Sequence, residues 1–105
     1  MWKPGRPVHP SNGTGTAPDA ATSPAGVEIT FVQGANLNNQ TTSTIAITNR
    51  EAVGGNFLEV SFNNGRYWFA MPPSTTTQLA ISSRWCRLRG YAGATADYSI
   101  MGIIS

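Results

Sequence analysis

Short segments in which apolar and polar residues alternate are separated by turn-forming residues along most of the chain. The clearest case is a hairpin in which Asn64-Gly65 separates two strand-like segments. Both central residues of a type I′ turn need a positive φ, which asparagine tolerates and glycine adopts freely. Closing the hairpin there pairs Leu58 with Met71 and Val60 with Phe69. Because side chains alternate between faces, the register predicts one apolar face, made of Leu58, Val60, Phe62, Tyr67, Phe69 and Met71. It assigns the opposite face to Glu59, Ser61, Trp68 and Ala70.

Five further segments have strand-like patterns, and no apolar period of 3.6 residues spans two helical turns. Pro72-Pro73 is predicted to end the second hairpin strand, because proline cannot donate to a ladder. The further strands are predicted at 27–32, 43–48, 77–82, 84–89 and 97–104. Seven short strands of this kind predict an all-β fold, a small sandwich or barrel of antiparallel strands. The last strand has apolar residues on both faces, which is typical of a central strand or an interface.

The first 26 residues differ in composition from the rest of the chain. They hold five of the seven prolines and four of the eleven glycines, with serine, threonine, asparagine and alanine between them. Proline fixes φ and removes backbone donors, which excludes a helix or an interior strand here. We therefore predict an extended Pro/Gly-rich arm at 1–26 and a β-sandwich or barrel domain at 27–105.

An extended arm makes few contacts with its own domain to offset the entropy lost when it is ordered. We expect the arm to lie on a neighbouring subunit. Trp2 and Val8 would be its apolar anchors, and Lys3 and Arg6 would meet acidic or polar groups. The alternative is an arm that folds back on its own domain.

The overall charge limits the partners that the protein is expected to bind. Charged residues make up 11% of the chain, against roughly 25% in a typical globular domain. The net charge is +2, with no run of basic residues, whereas nucleic-acid binding usually needs a concentrated basic stripe. No apolar segment approaches the length of a membrane span or follows the pattern of a signal peptide. We expect no direct nucleic-acid partner, no membrane, and synthesis in a reducing compartment.

Residues that carry chemistry are few and scattered. His9 is the only histidine and lies in the arm, and Cys86 is the only cysteine, in an apolar context typical of a small buried hydrophobe. One cysteine excludes an intrachain disulfide and a cysteine-rich zinc site. The five carboxylates follow no catalytic motif. We therefore expect neither an enzyme nor a cofactor or metal site.

Trp68 and Trp85 are both predicted on the polar faces of their strands, near Arg66, Arg87 and Arg89. Exposed tryptophans on a sheet can stack on sugars or anchor a protein interface. The alternative is that a second sheet or the arm covers this face, which would make the tryptophans part of the core. The sequence leaves both interpretations open.

The order of strands and turns after the arm is similar to that of a known family. The segments are 60–74 (VSFNNGRYWFAMPPS), 78–81 (QLAI), 87–90 (RLRG) and 97–102 (DYSIMG). This series resembles small virion proteins of tailed bacteriophages. Some of these are capsid decoration (cement) proteins whose N-terminal arm lies on the capsid lattice. The resemblance carries over no catalytic residue.

The resemblance implies a structural virion protein that binds and stabilises the capsid lattice through its arm and its β-domain. Its partner would be the major capsid protein, and it would be a homo-oligomer made in the host cytoplasm and located on the capsid surface. The expected partner-binding residues are Trp2, Lys3, Arg6, Val8, Trp68, Trp85, Arg87 and Met101. The alternative is a glycan-binding or structural module of a phage tail, neck or fibre, with Trp68 and Trp85 as stacking platforms.

Overall fold

The computed structural model describes residues 6–8, 10, 13–31 and 42–104. These residues form nine β-strands and no helix. The strands are β1 (Arg6–Val8), β2 (Thr14–Ala17), β3 (Val27–Thr30), β4 (Thr44–Asn49), β5 (Leu58–Ser61), β6 (Phe69–Met71), β7 (Thr75–Leu79), β8 (Trp85–Gly90) and β9 (Ala96–Ile104). The all-β fold predicted from the sequence is confirmed.

The strands form two antiparallel sheets that make a small sandwich. Sheet A has the order β1-β9-β4-β7, with β2 also paired to β9, and sheet B has the order β3-β8-β5-β6. The strand with apolar residues on both faces, β9, lies between β4 and the two N-terminal strands. It is therefore a central strand, one of the two positions that its pattern predicted.

The core between the sheets follows the alternation of the strands. In β4 and β8 every second residue is buried, so each strand contributes one row of buried residues, and the row of β4 ends on the polar Asn49. The buried apolar residues are Ala17, Ile29, Phe31, Ile45, Ile47, Leu58, Val60, Met71, Cys86, Leu88, Ala96, Tyr98 and Ile100. Fully burying a side chain the size of valine or leucine stabilises the fold by about 1.5–3 kcal/mol, so the buried rows fix which face of each strand points inward. The residues between them must then point outward.

The β5–β6 hairpin has the predicted register at its base. Leu58 pairs with Met71 and Val60 with Phe69. Asn64 has a φ of 64° and Gly65 a φ of 83°, the positive values that a type I′ turn requires. The β5–β6 ladder ends one residue before Ser61, which pairs with β8 instead.

The end of this hairpin departs from the predicted faces. Ser61 is fully buried, where an outward position was predicted, and Tyr67 is 66% exposed, where an apolar face was predicted. The Ser61 hydroxyl donates to Asn63 Oδ1 at 3.0 Å and accepts the Gly65 N–H at 2.9 Å. Asn63 Oδ1 also accepts the Tyr67 N–H at 2.8 Å. Side-chain hydrogen bonds thus take the place of the last backbone hydrogen bonds between the two hairpin strands, and Tyr67 points outward.

The described part of the N-terminal segment, residues 6–8, 10 and 13–26, folds back on its own domain. β1 pairs with 102–104 and β2 with 96–99 of β9, and Ala17 is fully buried in the core. The described part of 1–26 therefore has the alternative arrangement, in which the segment packs on its own domain. The proline content is compatible with this pairing because Pro7 lies in an edge strand, where a missing donor can face away from the ladder.

Candidate binding face

The outward face of sheet B brings together most of the predicted binding residues of the β-domain. β8 buries Cys86 and Leu88, so the alternate residues Trp85, Arg87 and Arg89 point outward. The strand register places Glu28 of β3 opposite Arg87, and Glu59 of β5 opposite Arg89. We call this surface the arginine–tryptophan face; it consists of Glu28, Glu59, Trp68, Trp85, Arg87 and Arg89.

Arg89 is the most constrained cation of this face. Its Nε donates to Glu59 Oε1 at 2.9 Å, and a terminal nitrogen donates to the Pro24 carbonyl at 2.6 Å. Its guanidinium carbon lies 3.9 Å from the centroid of the Trp68 ring, well within the range of a cation–π interaction. The side chains of Arg89 and Glu59 are only 19% and 15% exposed. Solvent therefore screens this ion pair less than it screens a typical surface pair.

Trp68 is held by a hydrogen bond of its indole N–H and by the contact of its ring with Arg89. Its Nε1–H donates to the Gly65 carbonyl at 2.9 Å, which anchors the indole to the β5–β6 turn. The guanidinium of Arg89 covers one ring face. A sugar could stack on that face only by displacing the guanidinium, so a stacking platform at Trp68 would have to use the opposite face of the ring.

Arg87 forms a second, more open cluster. Its Nε donates to Asn64 Oδ1 at 3.2 Å, and a terminal nitrogen donates to Glu28 Oε2 at 3.2 Å. Its guanidinium carbon is 5.8 Å from the centroid of the Trp85 ring. The Arg87 and Glu28 side chains are 22% and 51% exposed, so a partner can reach this cluster more easily than the Arg89 cluster.

The chemistry that this face offers is recognition through rings and hydrogen bonds. Its two arginines are each paired with a glutamate, so the four charges balance. A partner would contact aromatic rings and guanidinium groups, and the net electrostatic field of the face would be weak. Aromatic residues and arginine are enriched at protein interfaces, and tryptophan and arginine often dominate the binding energy.

Met101 lies on the other side of the sandwich. It pairs with Ala46 on the outward face of sheet A. There it lines an open groove of about 450 Å³, together with Pro10, Thr14, Thr48 and Ser99. The structure therefore separates Met101 from the tryptophans and Arg87.

The four predicted residues of the N-terminal segment fall into two groups. Arg6 and Val8 lie in β1 and pair with Ile104 and Gly102, on the same sheet as Met101. Trp2 and Lys3 lie outside the described residues, as does most of the segment between the strands predicted at 27–32 and 43–48.

Three members of the arginine–tryptophan face were not among the predicted binding residues. Arg89 was expected near the tryptophans, because the period of two in β8 places it on the same face as Trp85 and Arg87, but no binding role was assigned to it. The roles of Glu28 and Glu59 depend on the pairing of β3 and β5 with β8. A single sequence carries no signal for that long-range pairing.

Exposed apolar side chains also occur in the segments before β5 and after β8. Val53 is 88% exposed, Tyr91 54% and Phe57 42%. The Tyr91 N–H donates to the Phe57 carbonyl at 2.9 Å, so these two aromatic residues come from adjacent loops. No pattern in the sequence predicted this group.

Cys86 is a core residue, as predicted. Burial raises the pKa of its thiol to about 12, because the charged thiolate would be desolvated in the apolar core. The thiol is therefore an inert packing group at neutral pH.

Searches against protein-family models, curated proteins and solved structures find no match to this chain. Within the described part of the chain, no helix is long and apolar enough to cross a membrane. No three histidine, cysteine, aspartate or glutamate side chains cluster as metal ligands among those same residues.

Proposed function

We propose that the protein is a structural virion protein, a capsid decoration (cement) protein that binds the major capsid protein and stabilises the capsid lattice. The observation that carries the proposal is the arginine–tryptophan face, a surface whose residue types are those that anchor protein interfaces. The resemblance of the strand-and-turn series to phage virion proteins supplies the kind of partner. The proposed location is the capsid surface, after synthesis in the host cytoplasm.

The state of this face before binding favours a recognition role. Arg89 and Trp68 are already held by hydrogen bonds and by their mutual stacking. Ordering a long side chain on association costs about 0.5–1.5 kcal/mol, and a side chain that is fixed beforehand avoids much of that cost. Arg87 is likewise held by hydrogen bonds to Asn64 and Glu28, and with Trp85 it forms the more open cluster, which is the proposed direct contact.

The N-terminal residues add a second proposed contact. Trp2 and Lys3 precede β1, which lies on the edge of sheet A, whereas the arginine–tryptophan face belongs to sheet B. Contacts from two regions of one protein would act together, because binding through the first makes the second effectively intramolecular. Weak contacts of this kind gain strength when a lattice repeats them.

Co-sedimentation with phage heads that lack the protein tests the proposal. We expect the full-length chain to bind, and the double variant Trp85→Ala/Arg87→Ala to lose most of its binding. The matched control is Arg50→Ala, which removes an exposed arginine outside the face. Failure of the unaltered chain to bind any head preparation would contradict the capsid role.

The same experiment tests the arm. A chain that starts at Arg6 keeps β1 and β2, whereas one that starts at Val27 loses two strands of sheet A and buried Ala17. The shorter deletion is therefore the suitable variant, and we expect it to bind heads less well than the full chain. Undiminished binding would exclude Trp2 and Lys3 as lattice contacts.

A glycan-binding module of a tail, neck or fibre is the alternative outcome. It would give a change in tryptophan fluorescence on addition of polysaccharide, without binding to heads. Because Arg89 covers one face of Trp68, we expect a sugar to stack on Trp85. The fluorescence change should then be lost in Trp85→Ala.

A further inference from the structure

β7 is the last strand of sheet A on one side. It pairs with β4 along all five of its residues. In the described part of the chain, no strand pairs with its other side. An edge strand of this kind presents backbone N–H and C=O groups that can continue the ladder with another chain.

The other edges of the two sheets carry features that discourage such pairing. β1 contains Pro7, and β2, which shares that edge, has only four residues and is followed by Pro18. β6 has only three residues and is followed by Pro72-Pro73. β3 has four residues and includes the charged Glu28. Prolines, short length and charged residues are the usual protections of an edge strand. β7 has five residues, and none of them is proline or charged.

The composition around β7 also suits pairing with an identical strand. No charged residue occurs between Arg66 and Arg84. In a two-fold symmetric pair the same surface meets itself, and like charges directly opposite each other across a ladder are destabilising. An uncharged edge avoids this penalty. Three of its five residues are threonine, which is favoured in strands.

We propose that β7 pairs antiparallel with β7 of a second copy of this chain, across a two-fold axis at Thr77. This is the register that pairs all five residues. It places Thr76 opposite Gln78 of the second copy, and Thr75 opposite Leu79 of the second copy. Two five-stranded sheets then become one continuous sheet. The pairing does not depend on the proposed capsid function.

Thr76 and Gln78 are suitable positions for a test because both are exposed and face each other across the proposed axis. The variant Thr76→Lys/Gln78→Lys places lysine opposite lysine at both pairs. The variant Thr76→Lys/Gln78→Glu instead places lysine opposite glutamate. The two variants differ at a single exposed side chain, so they serve as matched controls for folding, which far-UV circular dichroism verifies.

Sedimentation equilibrium from about 10 µM to about 1 mM measures the association. We expect the unaltered chain to approach the mass of two chains at the upper end of this range. The lysine–lysine variant should weaken association by at least about tenfold, and the lysine–glutamate variant should retain it. A monomer throughout the range would overturn the proposal. So would equal association of the two variants.

Amide hydrogen exchange locates the contact independently. At high protein concentration we expect exchange to slow in β7 and to remain unchanged in β6, the edge of the other sheet. Slowing that is confined to another edge strand would overturn the assignment of β7.

Discussion

Asn49 links the two sheets from inside the core, and its removal is the most direct test of how the sandwich is held together. It is the last residue of β4 and is fully buried. Its Nδ2 donates to the Asn56 carbonyl at 3.1 Å and to the Met71 carbonyl at 3.0 Å. Its Oδ1 accepts the Glu51 N–H at 3.0 Å. The bond to Met71 joins sheet A to the end of β6 in sheet B.

The cost of Asn49→Ala follows from these three bonds. A hydrogen bond contributes about 1 kcal/mol net, and each buried polar group left without a partner costs about 1–3 kcal/mol. The bond to Met71 is fully buried, and the other two are partly buried. We therefore expect a loss of about 3–4 kcal/mol, which is a large part of the 5–15 kcal/mol typical of a domain.

Urea denaturation followed by tryptophan fluorescence measures this loss. The matched variant Asn49→Asp keeps the volume and the acceptor but removes both donors, so it should destabilise at least as much at neutral pH. The control Thr76→Ala removes one exposed hydrogen bond, to Thr48 at 3.0 Å, and should cost less than about 1 kcal/mol. A loss below about 1 kcal/mol for Asn49→Ala would refute the assigned role of Asn49.

Three further predictions concern separate parts of the fold. Arg89→Lys keeps the charge but loses the planar stacking on Trp68, and should cost about 1–2 kcal/mol and change the tryptophan emission; an unchanged spectrum would contradict the stacking. Gly26 has a φ of 70°, and a Cβ there would meet the Leu88 carbonyl oxygen, so Gly26→Ala should lower the urea midpoint by an amount equivalent to about 1–3 kcal/mol. Because burial raises the pKa of Cys86 from its ordinary 9.0 to about 12, a thiol reagent at pH 8 should react only after unfolding. The unfolded thiol ionises at a lower pH than the folded one, so the free energy of unfolding should fall as the pH rises between these two values. The free energy of unfolding of Cys86→Ala, measured over the same pH range, should lack this contribution.

Short-range patterns were enough to predict much of the fold. The alternation in β4 and β8 identified their buried rows, because neighbouring side chains on a strand must point to opposite faces. The Asn64-Gly65 turn identified the register of β5 and β6, since few residue pairs adopt positive φ at both positions. These features depend on residues that are close in the chain.

The candidate site was predicted only in part. Outward positions for Trp68, Trp85 and Arg87 followed from alternation, but the contact of Trp68 with Arg89 joins residues 21 positions apart in the chain. The hydrogen bonds of Ser61 with Asn63 and Gly65 also changed the faces at the end of the hairpin. Turn geometry there competes with the ladder for the same backbone groups.

Tertiary structure alone decided the long-range pairings. The prolines of the N-terminal segment indicated an extended chain, but the free edge of β9 offered partners for β1 and β2, and these bonds offset the entropy of ordering the segment. Likewise, the pairing of Glu28 and Glu59 with arginines depends on which strands lie beside β8. Local sequence specifies the direction of a side chain, whereas its partner across the sheet depends on how the whole chain closes its core.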